Sequence, residues 1–303
     1  MNEFFELSAQ VVRFLQNLIG GPLWMGFWLF MSYALLGAAM LSILFFYVCV
    51  DRRSGYYFII SFLSAAAFES LLKGLVREPR PFVGHGGIAN GDPLTAIGYS
   101  FPSGHCVSVA CSVSVFFGYY RSILSYYMTF FWIVNSLMMV SRMVLGCHYP
   151  HDCLAGFAVG VAVGYFVLQL IRSYQVFFNR HCYLAGGLTA AIGAVGAIMG
   201  RFGVEFFALN ANAFHVLTAI GCVTIGDHLE RKLIGCVCHA RNLKKLIRLL
   251  FFVVTSGLIC AGYLMYFKRT IFTMHVLVVI MSFYCTLGFS WLGSVMMLFE
   301  KQN

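Results

Sequence analysis

The feature that most constrains this chain is the recurrence of apolar stretches long enough to cross a lipid bilayer. A membrane-spanning helix needs about 20 consecutive, mostly apolar residues. Such stretches recur between residues 23 and 298, and 60% of the 303 residues are hydrophobic whereas 10% are charged. Soluble domains average about half apolar and a quarter charged residues. We therefore predict an all-α polytopic transmembrane helix bundle, not a soluble enzyme with a single anchor.

The apolar stretches predict nine spans within a single integral membrane domain over residues 1–303. The seventh is the weakest, because Asn210, Asn212 and His215 interrupt it, and it is a candidate for a broken or re-entrant helix. Glycines near one face of the sixth span predict close helix packing there: Gly187, Gly193, Gly196 and Gly200. The nine spans are 23–49, 56–75, 104–120, 124–146, 152–171, 183–200, 207–226, 249–267 and 271–298.

The first residues of the chain have a different pattern, with apolar residues at helical spacing and polar residues on the other faces. Glu3, Glu6, Gln10 and Arg13 occupy those other faces, and Gly20 ends the pattern. This distribution is typical of an amphipathic helix that lies in the membrane interface. We therefore predict an N-terminal interfacial helix over 3–19, with its apolar face formed by Phe4, Leu7, Val11, Phe14, Leu15 and Leu18.

Basic residues divide unequally between the two sides that nine alternating spans create. Twelve of the 20 Lys and Arg residues fall on the side of the C-terminus and eight on the other. Three of those eight belong to the motif described next, which leaves five against twelve. Short loops rich in Lys and Arg stay cytoplasmic. We therefore predict a cytoplasmic C-terminus, with the loop 77–103 and the turn 147–151 facing the periplasm, the cell exterior or an organelle lumen.

Three separated segments reach that non-cytoplasmic side together. The first is Lys73-x6-Arg80-Pro81, at the end of the second span. The second is Pro102-Ser103-Gly104-His105, which begins the third. The third is Ser141-Arg142-x5-His148-x3-Asp152, between the fourth and fifth. The predicted topology therefore brings their polar side chains to one membrane face.

The first property shared by these segments is an ability to bind phosphate. Lys73, Arg80 and Arg142 provide three cations, and a phosphate monoester carries about −1.5 to −2 charges. Arginine binds its oxygens through paired hydrogen bonds, whereas lysine acts as a point charge. Ser103 and Gly104 begin a helix, where free backbone N–H groups bind anions. We predict these five residues as the phosphate-binding set.

The second property is a pair of histidines with a carboxylate. His148 and Asp152 are four residues apart, so they share a face if helical. Asp152 can hold the imidazole in one tautomer and leave the other nitrogen free to attack. His105 then remains as the general acid for the leaving group, a task that suits a pKa of about 6.5. We predict His148, His105 and Asp152 as the catalytic residues.

In these motifs the chain resembles the type 2 phosphatidic acid phosphatase superfamily, which includes lipid phosphate phosphatases, glucose-6-phosphatase-like enzymes and vanadium haloperoxidases. The family signature of K-x6-R-P, P-S-G-H and S-R-x5-H-x3-D is complete here, within a motif-bearing core at about 56–171. The resemblance implies a phosphatase that needs no metal or other cofactor and forms a phosphohistidine on His148. The additional spans at about 183–298 resemble the layout of glucose-6-phosphatase, whereas an Asp at 152 is typical of bacterial and lipid-type members.

We therefore expect a phosphoric monoester or pyrophosphate hydrolase that acts on a lipid phosphate such as phosphatidic acid, a sphingoid-base phosphate or an isoprenyl pyrophosphate. Its partners are the lipid bilayer and this substrate, with no nucleic acid, and its membrane is the bacterial inner membrane or the endoplasmic reticulum. Two alternatives remain open. One is a glucose-6-phosphatase-like enzyme for sugar phosphates, and the other is an anion-binding membrane protein or transporter.

Polar residues outside the motifs have simpler interpretations. Glu69 lies one helical turn before Lys73 and is expected to form an ion pair with it. His85 and His151 are interpreted as polar caps near the membrane surface. The loop 84–100, which contains Asp92, could cover the site or touch the substrate headgroup.

Overall fold

The structure, a computed structural model, describes residues 2–120, 124–238 and 242–301. Helices and loops make up almost all of it, and a short antiparallel pair of strands, β1 (Cys236–Val237) and β2 (Glu300–Lys301), is the exception among these residues. The helices are α1 (Asn2–Ile19), α2 (Pro22–Phe45, continued by a π-helical turn Phe46–Val50), α3 (Arg52–Val76), α4 (Pro81–Gly84), α5 (Gly104–Tyr119), α6 (Leu124–Val144), α7 (Pro150–Ser173), α8 (Gln175–Arg180), α9 (Cys182–Arg201), α10 (Glu205–Leu209), α11 (Ala211–Leu233), α12 (Asn242–Tyr266), α13 (Ile271–Phe283, continued by a π-helical turn Tyr284–Gly288) and α14 (Phe289–Val295).

Several of these helices can cross a membrane. In the described residues, six helical segments are long and apolar enough: Pro22–Val50, Arg52–Gly84, Pro150–Ser173, Cys182–Arg201, Asn242–Tyr266 and Ile271–Val295. Two shorter apolar helices lie at Gly104–Tyr119 and Met128–Val144. The seventh predicted span corresponds to α11, which is not among the six. The all-α polytopic architecture is therefore as expected, whereas the number of nine crossings remains a prediction.

The chain divides into two compact units, each with its own core. Unit 1 consists of Met1–Leu41 and Phe68–Phe166, and unit 2 consists of Ser42–Ala67 and Val167–Asn303. The eight predicted site residues all lie in unit 1. The helices from α8 onwards, which the motifs do not cover, lie in unit 2.

Close packing of α5 on α7 builds the centre of unit 1. A Cβ added at Gly156, Gly160 or Gly164 of α7 would lie 2.6, 2.4 or 2.6 Å from an atom of α5 or its first turn. Small residues at a spacing of four let two helix backbones approach this closely. Because α5 carries His105 and α7 carries Asp152, this contact sets the separation between two predicted catalytic elements.

Helix α1 packs on the loops of unit 1 by one face only. Ala9 and Val12 are buried against Ile88 and Tyr149. The Gln16 side chain donates hydrogen bonds to the carbonyls of Ala89 and Val144 at 2.8 and 3.0 Å. The opposite face exposes a stripe of large apolar side chains: Phe4, Leu7, Val11, Phe14 and Leu18. The predicted location of this helix in the membrane interface remains a prediction.

In unit 2, glycines bring α9 close to α10 and α11. A Cβ at Gly193 or Gly196 would lie 2.2 or 2.1 Å from a side-chain atom of α11, and at Gly200 it would lie 3.1 Å from the Phe207 backbone of α10. Close packing is thus present at three of the four predicted glycines. Gly187 has no described neighbour within 4 Å of a Cβ, and Gly186 takes its place, 2.8 Å from Ile225. The prediction was wrong at Gly187, because the face of α9 that contacts α11 is rotated by one residue from the predicted face.

Candidate active site

Lys73 connects the end of α3 to the segment that begins α5. Its Nζ lies 3.2 Å from Glu69 Oε1, so the expected ion pair is present. The same Nζ donates a hydrogen bond of 2.6 Å to the Pro102 carbonyl. A Cβ on Gly104 would lie 2.8 Å from Glu69 Oε1. Glycine at 104 therefore lets the first turn of α5 approach this ion pair.

Arg80 connects the long loop before α5 to the turn that carries His148. Its guanidinium donates hydrogen bonds to the carbonyls of Ile97, Gly98 and Cys147 at 2.9, 3.0 and 3.0 Å. Its Nη1 also lies 3.2 Å from Nε2 of His148. A guanidinium only donates hydrogen bonds. The geometry therefore assigns His148 Nε2 as the acceptor nitrogen, with the ring proton on Nδ1.

The other nitrogen of His148 faces Asp152. His148 Nδ1 lies 3.5 Å from Oδ2 of Asp152, both side chains being almost fully buried. The same Oδ2 accepts hydrogen bonds from the Ser100 hydroxyl at 2.5 Å and from the Tyr149 backbone N–H at 2.8 Å. Asp152 is thus fixed by a serine and a backbone group that the motif does not contain. In a carboxylate–histidine pair this arrangement holds one tautomer of the imidazole.

The turn before His148 depends on one glycine. Gly146 has a φ of 69°, in the left-handed region that favours glycine. A Cβ there would lie 2.2 Å from the Ala89 carbonyl oxygen. The turn and the long loop therefore pack together closely enough that a side chain at 146 would displace His148.

His148 is held as a neutral imidazole. Burial lowers its pKa well below the usual value of 6.5, and the positive charges of Lys73, Arg80 and Arg142 lower it further. The charge of His105 acts in the same direction. These interactions also place the three predicted cations and both predicted catalytic histidines within electrostatic range of one another. A neutral imidazole with an unprotonated Nε2 is a competent nucleophile.

Arg142 has a carboxylate partner that we did not predict. Its Nη1 donates hydrogen bonds to Asp92 at 2.8 Å and to the Ser32 hydroxyl at 3.1 Å. Burial alone would raise the pKa of Asp92, but the hydrogen bonds from Thr95 and Arg142 outweigh it and lower this pKa to about 2. Asp92 is therefore ionised beside Arg142. Asp92 is the only acidic residue between Pro81 and Ser103, so the sequence contained a signal for this partner of Arg142.

Four buried polar atoms of the predicted site have no hydrogen-bond partner among the described residues. One is the carboxylate oxygen Asp152 Oδ1, and the other three are Ser103 Oγ, His105 Nε2 and Arg142 Nε. Ser103 is the N-cap residue of α5, yet its hydroxyl does not cap the helix. Buried polar groups in proteins are nearly always paired. Unpaired groups of this kind, beside a helix N-terminus and three cations, are available to bind the oxygens of an anionic ligand.

One group in unit 1 has the composition of a metal site. Glu78, His151 and Asp152 each offer one ligand atom, and these atoms lie within 4.8 Å of one another. His151 Nε2 lies 2.8 Å from Glu78 Oε1, a normal distance for a direct hydrogen bond. The residues therefore contact one another directly, as a carboxylate–histidine network does.

Comparisons with known proteins agree with the chemistry of these residues. The family model described as the PAP2 superfamily matches residues 54–175. The "probable lipid phosphate phosphatase beta" of Arabidopsis thaliana is 28% identical over 151 residues, which cover 41% of this chain and 70% of that protein. No solved structure matches the chain. All eight predicted site residues lie within the matched segment, so the part of the chain that carries the motifs is similar to the PAP2 superfamily.

Proposed function

We propose that this chain is a membrane phosphatase that hydrolyses a lipid phosphate through a phosphohistidine on His148. The observation that carries the proposal is the arrangement around that ring. Its Nε2 lies 3.2 Å from Arg80 and its Nδ1 lies 3.5 Å from Asp152. A nucleophilic nitrogen is thus directed toward a phosphate-binding guanidinium while a carboxylate holds the opposite nitrogen. The match of residues 54–175 to the PAP2 superfamily model and the name of the plant relative support the same reaction class.

The reaction has two steps. In the first, His148 Nε2 attacks phosphorus, the bond from phosphorus to the leaving oxygen breaks, and His105 gives its proton to that oxygen. In the second, His105 takes a proton from water, the water oxygen attacks phosphorus, and the bond to Nε2 breaks to release phosphate. His105 thus acts as the acid in the first step and as the base in the second. Asp152 balances the positive charge that His148 carries as phosphohistidine.

The three cations stabilise the charge that moves during transfer. Phosphoryl transfer spreads negative charge over three equatorial oxygens, and fixed positive groups lower its barrier. Arg80 and Arg142 supply planar donors and Lys73 a point charge. Lys73 and Arg80 now contact mainly backbone carbonyls, whereas the Nε of Arg142 has no hydrogen-bond partner among the described residues.

A lipid substrate fits the exposed apolar stripe of α1. Phe4, Leu7, Phe14 and Leu18 are each more than half exposed, on the face opposite to the one that packs on Tyr149. A helix of this kind lies at headgroup depth. We place the site on the non-cytoplasmic face of the endoplasmic reticulum or bacterial inner membrane, with a cytoplasmic C-terminus, as the charge distribution predicts.

A phosphate-release panel on purified protein in detergent, with EDTA present, tests the proposal. Its substrates are phosphatidic acid, undecaprenyl pyrophosphate, sphingosine phosphate and glucose 6-phosphate. We expect turnover of at least one lipid, loss of turnover in His148→Ala, and no loss in the matched control His181→Ala, whose residue lies in unit 2. Exclusive turnover of glucose 6-phosphate assigns a sugar phosphatase instead. Phosphate binding without turnover assigns an anion-binding protein or transporter.

A further inference from the structure

His151 has contacts that a polar cap does not need. Its Nε2 lies 2.8 Å from Oε1 of Glu78 and 3.5 Å from Oδ1 of Asp152. Its Nδ1 lies 3.4 Å from the Ser8 hydroxyl of α1. Because a carboxylate only accepts hydrogen bonds, Nε2 carries a proton that it donates to Glu78, and Nδ1 faces the Ser8 hydroxyl. The residue thus stands between two carboxylates, one of which orients His148.

Aromatic packing holds this imidazole in place. The ring stacks on Tyr149 with a centroid distance of 5.3 Å and an interplanar angle of 10°. The rings of Phe4, Phe5 and Phe101 surround it at 5.0, 5.7 and 6.3 Å. A side chain with four aromatic neighbours has little freedom to turn away. The contact between His151 and the two carboxylates is therefore built into the packing.

Asp152 divides its two oxygens between the two histidines. Oδ2 takes the Ser100 and Tyr149 hydrogen bonds and faces His148, whereas Oδ1 faces His151. Oδ1 is buried and has no hydrogen bond from any described residue. The positively polarised Nε2–H of His151 therefore lies between Asp152 Oδ1 and Glu78, and it offsets the negative charge of Oδ1. Without this N–H group, the carboxylates of Glu78 and Asp152 would face each other in a buried site. Two carboxyl groups so close together cannot both ionise easily.

We propose that His151, held by Glu78, is a positioning residue that separates Glu78 from Asp152 and keeps Asp152 ionised and aligned on His148. This inference rests on the proposed function. His151 does not touch the phosphate-binding cations, so it acts through Asp152. The titratable groups that face it are Glu78 from the segment after α3 and Asp152 and Tyr149 from its own segment, while α1 contributes only the Ser8 hydroxyl.

The first test is His151→Phe, which keeps an aromatic ring in the stack and removes the N–H donor. We expect kcat to fall about tenfold to a hundredfold, the size typical for loss of an outer partner of an orienting group, with KM unchanged. We also expect the acidic limb of the kcat/KM profile to move to higher pH, because Glu78 and Asp152 then share a proton. The matched control His85→Phe removes a histidine that contacts Tyr149 and Glu6 but not Asp152. Its pH profile should equal that of the wild type.

The second test separates positioning from packing. In His151→Phe/Glu78→Gln the second negative charge is gone, so we expect kcat and the acidic limb to return toward the wild-type values. A role in packing alone predicts no recovery, because the second substitution restores no contact. His151→Gln, which keeps a donor but loses the ring, should retain more activity than His151→Phe. An unchanged profile in His151→Phe, or no recovery in the double variant, overturns the inference.

Further readouts distinguish failure of this inference from failure of the proposed function. If the wild type is active and His148→Ala is inactive, an unaltered kcat and pH profile in His151→Phe reject only the inference about His151. The unfolding temperatures of His151→Phe, Glu78→Gln and the double variant in detergent provide a second measurement, which does not depend on turnover. There the lowered unfolding temperature of His151→Phe should rise again with Glu78→Gln, and independent effects of the two substitutions would contradict the inference. Loss of activity with EDTA that Zn²⁺ restores in the wild type but not in His151→Phe would assign a metal site and overturn it as well.

Discussion

Arg52 in unit 2 and Arg142 in unit 1 are both buried arginines, but their surroundings differ. The guanidinium of Arg52 lies 2.9 Å from Glu230 and 3.4 Å from Asp227. It also donates hydrogen bonds to Tyr47, Thr286 and Ser290 at 2.7, 2.7 and 2.8 Å. These hydrogen bonds come from Nη1 and Nη2, whereas Nε faces the two carboxylates without a hydrogen bond among the described residues. Arg142 contacts Asp92 and Ser32 through Nη1 alone, and its Nε has no partner among the described residues.

The difference teaches how to separate a structural charge from a functional one. A buried charge is costly unless it is paired and hydrogen-bonded. Around Arg52 the buried charge is offset by two carboxylates of unit 2, one of which lies 2.9 Å from its Nε, whereas no described group faces the Nε of Arg142. The site in unit 1 leaves donors on Ser103, His105 and Arg142 without partners, and such exceptions are expected where a ligand binds. Substitutions in unit 2 should therefore change stability, and substitutions in unit 1 should change turnover.

The largest expected effect is in unit 1, at the carboxylate that orients His148. Asp152→Asn keeps the shape of the side chain but presents an amide to His148 Nδ1, which favours the wrong tautomer. We expect kcat for phosphate release to fall about ten-thousandfold, as in other histidine–carboxylate pairs. Thermal unfolding should show a protein that still folds. A decrease in kcat of less than tenfold would contradict the expectation that substitutions in unit 1 change turnover.

The next effect concerns unit 2. Arg52→Gln leaves Glu230 buried without its cation, while Asp227 keeps its 2.9 Å ion pair with Arg231. Breaking a buried ion pair in this way costs about 3–5 kcal/mol. We expect that loss in the free energy of unfolding, measured with denaturant in detergent, and unchanged kcat per folded molecule. Arg53→Gln, at an exposed neighbour, is the matched control and should stay within about 0.5 kcal/mol. A kcat that falls in Arg52→Gln would show that unit 2 also serves the reaction.

A third substitution addresses the mixed role of Arg142, which has a structural partner and an unpaired donor. Arg142→Gln should lower kcat about a hundredfold to a thousandfold, the usual cost of losing one donor to transition-state charge. It should also destabilise the fold, because Asp92 loses its cation. Adding Asp92→Asn should restore the unfolding temperature and leave kcat low. Recovery of kcat in the double variant would mean that Arg142 only neutralises Asp92.

The smallest expected effect is the pH dependence of the Asp92 pair. The pKa of Asp92 is lowered from 3.8 to about 2 in the folded protein. A carboxyl with a lowered folded-state pKa contributes stability above its unfolded-state pKa and loses it as the pH falls through the folded value. At 1.36 kcal/mol per unit of pKa, this contribution is about 2 kcal/mol. The difference in unfolding free energy between wild type and Asp92→Asn should shrink by that amount between about pH 4 and pH 2, and a constant difference would contradict the pairing.

Much of the site could be predicted because its residues lie at fixed spacing within short segments. His148 lies just before α7 and Asp152 in its first turn, and Ser103 and Gly104 begin α5, so local geometry places them. The contact between Arg142 and Asp92 joins residues 50 positions apart. The same holds for Glu78 and His151, which are 73 apart. The segment 85–103 has no helical or strand periodicity, so its path, and hence these partners, could not be predicted.

The sequence by itself determined that the chain forms apolar helices and that three of its segments carry the motifs behind the proposed phosphate transfer, because hydrophobic length and motif spacing are local properties. It also predicted an amphipathic start and the ion pair of Glu69 with Lys73, and both the helix Asn2–Ile19 and this ion pair are present. Only the tertiary structure decided which partners distant in sequence meet. Asp92 neutralises Arg142, and His151 stands between Glu78 and Asp152. The physical reason is that buried charges are satisfied by whichever opposite group the chain's path brings within a few ångström, and that path depends on the packing of the whole unit.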